Sequence, residues 1–334
     1  MKLQVIGENE AGQRFDKYLA KLLKDAPKSF FYKMLRKKNI TLNGKKATGN
    51  EKLAAGDEVR LFLSDETYEK FLGNTVVEKK TTKLNLIYED SDILLVNKPV
   101  GMLSQKAGED ETSLNEYLIG YLLESGALTE EDLKTFRPSV CNRLDRNTSG
   151  IVAAGKSLMG LQQLSEIFHD RTVHKDYHTI VKGVLTKEKT VKGFLLKNEK
   201  DNKVVVSEEQ LPDSAPIETA YTPLGNNGSM TLLKVRLVTG RAHQIRAHLA
   251  SLGYPIIGDT KYGSEKLNEE MRNKYHLKSQ LLHAFRLEFP EEMTQLKGLS
   301  GKVFYAPLPG AFRKIAGAEG LMSYVPSSGN PEEK

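Results

Sequence analysis

Between residues 14 and 24 the apolar side chains fall at Phe15, Tyr18, Leu19, Leu22 and Leu23. That three-and-four spacing predicts a helix with one buried face. Pro27 ends the segment, and Ser29 is placed to cap a second helix running to about Lys38. Phe30, Phe31, Met34 and Leu35 give this second helix an apolar side, while Lys28, Lys33, Arg36, Lys37 and Lys38 give it charge. The period then changes. Residues 4–6, 40–42 and 58–63 read as strands, and Asn43-Gly44 is a hairpin turn. Residues 64–83 are polar and charged throughout and read as a linker.

A second pattern begins near Leu84. Residues 86–88 and 93–97 predict a strand pair closed by Lys98-Pro99-Val100-Gly101. Residues 104–138 are acidic and read as a helical pair, with Thr112 or Ser113 capping the first helix and Thr129 opening the second. The apolar run 151–154 predicts a buried strand, 158–169 an amphipathic helix, and 172–183 an alternating strand. Less regular strands and turns fill 184–230. A strand at 232–238 then runs through Gly240 into a helix. A turn-rich loop at 254–263 and a late core strand at 281–287 follow, and residues 326–334 have the composition of a disordered tail. Strands and helices in this irregular order predict an α+β body, residues 84–325, behind a small N-terminal module, residues 1–63.

A length of 334 residues suits two such domains. No apolar run approaches the ~20 residues that cross a bilayer, and the N-terminus turns polar too soon for a signal peptide. The single cysteine, Cys141, excludes an intrachain disulfide and a multi-cysteine metal site, and reads as a core residue. A cytoplasmic setting is the expectation. The net charge of +6 is unevenly divided: residues 1–63 hold 14 Lys and Arg against 7 Asp and Glu, and the rest holds 35 against 36. A basic module ahead of a near-neutral body points to a polyanion, with nucleic acid first.

Candidate chemistry centres on Asp145, flanked by Arg143 and Arg146 and followed by the turn Asn147-Thr148-Ser149-Gly150. A carboxylate beside guanidinium groups stays ionised, as a nucleophile or base must, but a plain loop ion pair reads equally well from these residues alone. His174, Asp176 and His178 share one face of a predicted strand, but steps of about 7 Å are too wide for one ion. Arg241, His243, Gln244 and Arg246 stand at a helix start, an arrangement suited to phosphate. No P-loop, dinucleotide fingerprint or metalloprotease motif occurs.

The helix, basic helix, hairpin and strand of residues 1–63, with Phe15-Asp16-Lys17-Tyr18-Leu19 and the strand followed by Asn43-Gly44-Lys45, resemble an S4-like RNA-binding domain. Further segments resemble the large RNA pseudouridine synthases of the ribosomal type. Residues 143–150 look like that family's catalytic loop, and Lys175 and Tyr177 with Val181 and Gly183 its second motif. Residues 239–249 look like the third, and residues 253–259 and Leu282-His283-Ala284 continue the order. The resemblance implies a mixed, mostly antiparallel central sheet with flanking helices. It implies an isomerase that breaks the N-glycosidic bond of uridine, turns the base and rejoins it through carbon. Nothing is oxidised or carried away, so no cofactor or metal is expected. By resemblance Asp145 is the acting carboxylate, Arg246 its partner, and Tyr177 the stacking platform for uracil. Arg143 would fill the space of the extruded uridine. Lys98, Lys175, Arg241 and His243 would contact the RNA backbone, with Lys33, Arg36, Lys37 and Lys38 on the N-terminal module. Large-subunit ribosomal RNA is the leading partner, transfer RNA the alternative, and a monomer without membrane attachment the expected form. Asn142 departs from the family, which often has His there. The rival readings are a non-catalytic RNA-binding protein and a metal-dependent RNA hydrolase.

Overall fold

The computed structural model describes residues 1–72, 80, 83–108, 110–198 and 203–325. The N-terminal module runs β1 (Lys2–Val5), α1 (Phe15–Leu22), α2 (Lys28–Arg36), β2 (Ile40–Leu42), β3 (Lys45–Lys46), β4 (Glu58–Leu61). Its four strands form an antiparallel sheet in the order β1-β4-β2-β3. Phe15, Leu19, Leu22, Phe31 and Leu35 pack on Ile40, Val59 and Leu61 in one core. Asn43 and Gly44 both take positive φ, 51° and 71°, which lets the β2–β3 hairpin turn in two residues. Two details differ from expectation. No side chain caps α2: Ser29 lies inside its first turn, and Pro27, φ −67°, sets the helix entrance. The expected linker also begins with a helix, α3 (Asp65–Leu72), whose Tyr68 is buried in the module's core while Phe71 meets Phe30 at 4.7 Å. Its charged composition hid a short apolar face. Residues 73–79 and 81–82 of that stretch, and the expected tail 326–334, lie outside the described residues.

The body continues with β5 (Leu86–Glu89), β6 (Ile93–Lys98), α4 (Leu114–Glu124), β7 (Ser139–Val140), β8 (Ser149–Gly155), α5 (Leu158–His169) and β9 (His174–Lys182). Next come β10 (Lys189–Asn198), β11 (Lys203–Ser207), β12 (Ala215–Asn226), β13 (Met230–Leu237), α6 (Gln244–Ser251), α7 (Glu265–Tyr275), β14 (Leu282–Glu288), β15 (Val303–Tyr305) and α8 (Gly310–Ala318). The strands form one sheet in the order β11-β10-β12-β13-β9-β14-β8-β6-β5, with β15 on β14 and β7 on β8. Only β8 and β14 pair in parallel among the described strands, so the sheet is mixed and mostly antiparallel. The expected helical pair in 104–138 is α4, held by a Ser113–Glu116 capping box, and one 3-10 turn at Asp132–Lys134. The helices α7 and α8 were not foreseen. In α7 only Met271 is buried, so its apolar stripe is too thin to read.

The parallel junction positions the site. Gly150 takes φ +118°, and a Cβ there would lie 2.2 Å from the Ala284 carbonyl oxygen. Only glycine lets β8 meet β14 immediately after the loop that carries Asp145.

Candidate active site

Asp145 lies in the loop between β7 and β8, and that loop is braced from all sides. The Ser104 hydroxyl donates to the Leu144 carbonyl at 2.8 Å and accepts from the Leu144 amide at 3.0 Å. The Gly101 amide donates to the Arg146 carbonyl at 2.8 Å, and the Thr148 amide to the Asp145 carbonyl at 3.0 Å. Gln280 Nε2 donates to Thr148 Oγ1 at 3.2 Å. Asn142 spans two residues of β8, donating to the Ile151 carbonyl at 3.2 Å and accepting from the Ala153 amide at 2.8 Å. An asparagine at this position therefore has a complete local role as donor and acceptor.

The partner of Asp145 comes from far along the chain. Arg246, in the first turn of α6, donates from Nη1 to Asp145 Oδ2 at 2.8 Å. Its Nε and Nη2 donate to the two oxygens of Asp259 at 2.7 and 2.9 Å. Arg246 and Asp259 are buried, whereas the Asp145 side chain keeps 26% of its accessibility. The Asp145 carboxylate is thus fixed in place yet open on one side. Burial works against the charge on Arg246, but both carboxylates hold the guanidinium well above its usual range. For Asp259 burial pushes the carboxyl up, and the Arg246 hydrogen bonds outweigh this and hold it below the ordinary carboxylate range.

Tyr177 on β9 is 5% exposed, and burial first, then the charge of Asp145, pushes its hydroxyl above the usual phenol range. It stays a neutral hydroxyl. His243 is the residue before α6, in the left-handed region at φ 54°, and its Nδ1 meets the Tyr262 hydroxyl at 3.0 Å. Burial lowers its imidazole below the usual range, while Asp145 acts in the opposite sense. Arg246 bonds Asp145 and the Asp145 charge acts on Tyr177 and His243, so the fold brings these four together from separate segments. Arg241 is exposed and Lys175 half-buried, its ammonium 5.8 Å from the Phe168 ring centroid. Gln244 turns inward from the helix start, donating to the Glu218 carbonyl and Thr219 Oγ1 and accepting from the Arg241 amide and Thr239. Lys33, Arg36, Lys37 and Lys38 are exposed on α2 and the turn after it.

One expectation, for Lys98, is corrected, and the plain loop ion pair left open for Asp145 does not form. Arg143 and Arg146 do not pair with Asp145: Arg143 reaches Gln105 Oε1 at 3.4 Å, and Arg146 bonds Glu111. Side chains adjacent in a turn point apart, so sequence neighbours are poor partners here. Lys98 is not available to a phosphate. It is 0% exposed, and its ammonium donates to the carbonyls of Pro99, Met102 and Arg146 at 3.1, 2.8 and 3.2 Å. Burial lowers this ammonium to about 7, against the pull of Asp145. On the strand face of His174, Asp176 and His178 each side chain is held by a neighbour, His174 Nδ1 lying 3.1 Å from Glu288 Oε2. Asp176 is gripped by Arg236 at 2.8 and 3.0 Å and by Arg286 at 3.1 Å, and His178 stacks on Phe285. Sequence reasoning missed Asp259, Ser104 and Gln280 as site residues. For Asp259 the signal was its place beside Gly258 in the turn after α6.

A family model described as RNA pseudouridylate synthase matches residues 92–251, and an S4 domain model matches residues 13–59. The ribosomal large subunit pseudouridine synthase C of Pasteurella multocida is 34% identical over 95% of this chain and 94% of its own. The Escherichia coli protein of the same name is 33% identical over 86% and 88%. Among solved structures, human RNA pseudouridylate synthase domain containing 4 is similar with a TM-score of 0.56 at 22% identity. That likeness covers 70% of this chain and 92% of the human one.

Proposed function

We propose a substrate and a division of labour for this chain, which belongs to the RNA pseudouridine synthase family. As a member it is an isomerase that converts uridine to pseudouridine in RNA. We assign large-subunit ribosomal RNA as its substrate, as in the names of its relatives, and the cytoplasm as its place of work. The observation that carries the assignment of roles is the pairing of Asp145 with Arg246, fixed yet accessible.

The reaction breaks the C1′–N1 bond and makes a C1′–C5 bond. The base loses a proton from C5 and gains one at N1, so atoms and electrons balance within the substrate. One ionised carboxylate suffices, acting at the ribose or the base. Asp145 supplies it. Arg246 keeps it paired and directed. Tyr177 offers its ring as a platform for uracil and, being neutral, a hydroxyl that donates rather than a phenolate that abstracts. Arg143, exposed on the same loop, occupies the space the extruded uridine leaves. Arg241, His243 and Lys175 contact the backbone, which positions without specifying sequence. Lys33, Arg36, Lys37 and Lys38 make residues 1–63 a tether that raises the local concentration of RNA. One chain carries all of these groups, so a monomer suffices.

The test is pseudouridine mapping of total RNA from a strain lacking the gene, complemented with wild type or Asp145→Ala. Marks in large-subunit ribosomal RNA that return only with wild type are expected. Marks restored equally by the variant would remove Asp145 from the mechanism, and marks lost only from transfer RNA would replace the substrate.

A further inference from the structure

We propose that Asp259 is the positioning residue of this site, aiming Arg246 at Asp145; the inference rests on Asp145 being the acting carboxylate. Arg246 has one guanidinium and serves two acids. The fork to Asp259, 2.7 and 2.9 Å, fixes the plane of the guanidinium and uses two of its three nitrogens. Nη1 is left, and it points at Asp145. A guanidinium held only by Asp145 could turn about its own bonds.

Asp259 cannot turn away, because it is locked from behind. Its Oδ1 also accepts from the backbone amides of Lys261 at 2.8 Å and Tyr262 at 3.1 Å. The turn that presents these amides starts at Gly258, φ +82°, where a Cβ would lie 2.2 Å from the Ser279 carbonyl oxygen. Asn268 of α7 pins the same turn, accepting from the Gly258 amide and donating to the Asp259 carbonyl, both at 2.8 Å. The Tyr262 ring lies against the guanidinium, 5.3 Å from its centroid, and its hydroxyl accepts from the Val204 amide at 2.9 Å. Rigid backbone thus fixes Asp259, Asp259 fixes Arg246, and Arg246 fixes the acid that works. The charges agree with this division. Asp259 is enclosed and its side-chain partner is Arg246, while Asp145, on the third nitrogen of the same guanidinium, is the accessible end of the array.

The experiment measures single-turnover pseudouridine formation by the full chain on a transcript of large-subunit ribosomal RNA. RNA affinity and thermal melting are measured alongside. The variants are Asp259→Asn, Asp259→Glu, Arg246→Gln, the double Arg246→Gln with Asp259→Asn, and Asp145→Asn. Asp259→Asn is expected to lose about 10²-fold in rate, the scale of a small misplacement, with RNA affinity unchanged. Asp259→Glu should recover part of that rate. The double variant should be no slower than Arg246→Gln alone, because Asp259 acts only through Arg246. Wild-type rate in Asp259→Asn, a loss confined to RNA affinity, or a double variant slower by the full product would overturn the proposal. If Asp259→Asn does not fold, Asp259→Glu decides, because it keeps the charge opposite Arg246: a reduced rate with RNA affinity kept is expected, and a wild-type rate would overturn the proposal. An active Asp145→Asn would instead sink the underlying assignment.

Discussion

Arg246 Nη1 stands 2.8 Å from Asp145 Oδ2 across 101 residues of chain, while the arginines beside Asp145 in sequence bond elsewhere. The pair joins the loop before β8 to the first turn of α6. Its two members differ in surroundings, and that difference separates catalysis from stability.

Asp145→Asn should abolish turnover, by about 10²- to 10⁴-fold if the carboxylate acts as acid or base and more if it is the nucleophile. Its cost in stability should stay within about 1 kcal/mol, because the side chain is partly exposed and Arg246 keeps Asp259. Arg246→Met should also be inactive but should destabilise by about 3–5 kcal/mol, since it strands Asp259 buried and unpaired. Urea unfolding beside single-turnover assays separates the two. Equal stability losses would mean that Asp145, not Asp259, is the main anchor of Arg246.

Residues near the site divide by whether their partners are local. Helices with a full apolar stripe, such as α1 and α5, were legible because periodicity is a property of a few consecutive residues. The helices α3 and α7 were not, because each buries too few side chains to leave a stripe. The members of the site carried by motifs, Asp145, Tyr177 and Arg246, were named from sequence. Asp259 was part of the motif order, but its function depends on a fork to a helix thirteen residues away. Lys98 was misread for the converse reason. Its sequence context shows a charge beside a turn, and only the fold shows three carbonyls closing over it.

Gly150→Ala should unfold or misassemble the body. The substitution meets both a φ of +118° and the Ala284 carbonyl at 2.2 Å, and backbone on an adjacent central strand cannot yield as a side chain would. Gly126→Ala, also at positive φ but with nothing near its Cβ, is the control and should cost only about 1 kcal/mol. Soluble yield and melting temperature check the pair. A folded Gly150→Ala with wild-type melting would mean that β8 and β14 do not meet there.

The buried histidines give the body a pH dependence of defined sign. His178 stacks on Phe285 with both ring nitrogens unpartnered, and burial first, then His283, lowers it to about 3. Burial lowers His283 to about 4. Unfolded, each protonates near 6.5. Below pH 6.5 the unfolded chain binds protons that the native chain refuses, so stability is full above that pH and falls as pH drops toward the folded values. Each histidine contributes about 1.4 kcal/mol per pH unit in this window. His178→Phe should flatten the fall between pH 6.5 and 5 by that amount. It should also raise stability at neutral pH, because two unsatisfied buried nitrogens disappear. Urea transitions at pH 7.5 and 5 read both effects, and an unchanged slope would mean that His178 finds a proton partner in the native state.

The N-terminal module should be separable from chemistry by salt. Residues 1–63 carry the basic excess of the whole chain, and Lys33, Arg36, Lys37 and Lys38 stand exposed on one helix and its following turn. Each phosphate contact contributes about 0.7 to the slope of log affinity against log salt on single-stranded RNA, and about 0.9 on a B-form duplex. Replacing these four residues by alanine should therefore weaken binding most at low salt and flatten the slope, while turnover at saturating RNA is kept. A tether raises the local concentration of substrate but does not touch the reacting atoms, so its loss appears in KM and not in kcat. Lys98→Gln is the contrasting variant: an enclosed ammonium contacts no phosphate, so its loss should leave the salt slope alone and reach activity through the Arg146 carbonyl it holds. If the four-alanine variant instead lost kcat with an unchanged slope, the basic helix would be positioning the catalytic body on its substrate rather than gathering RNA to it.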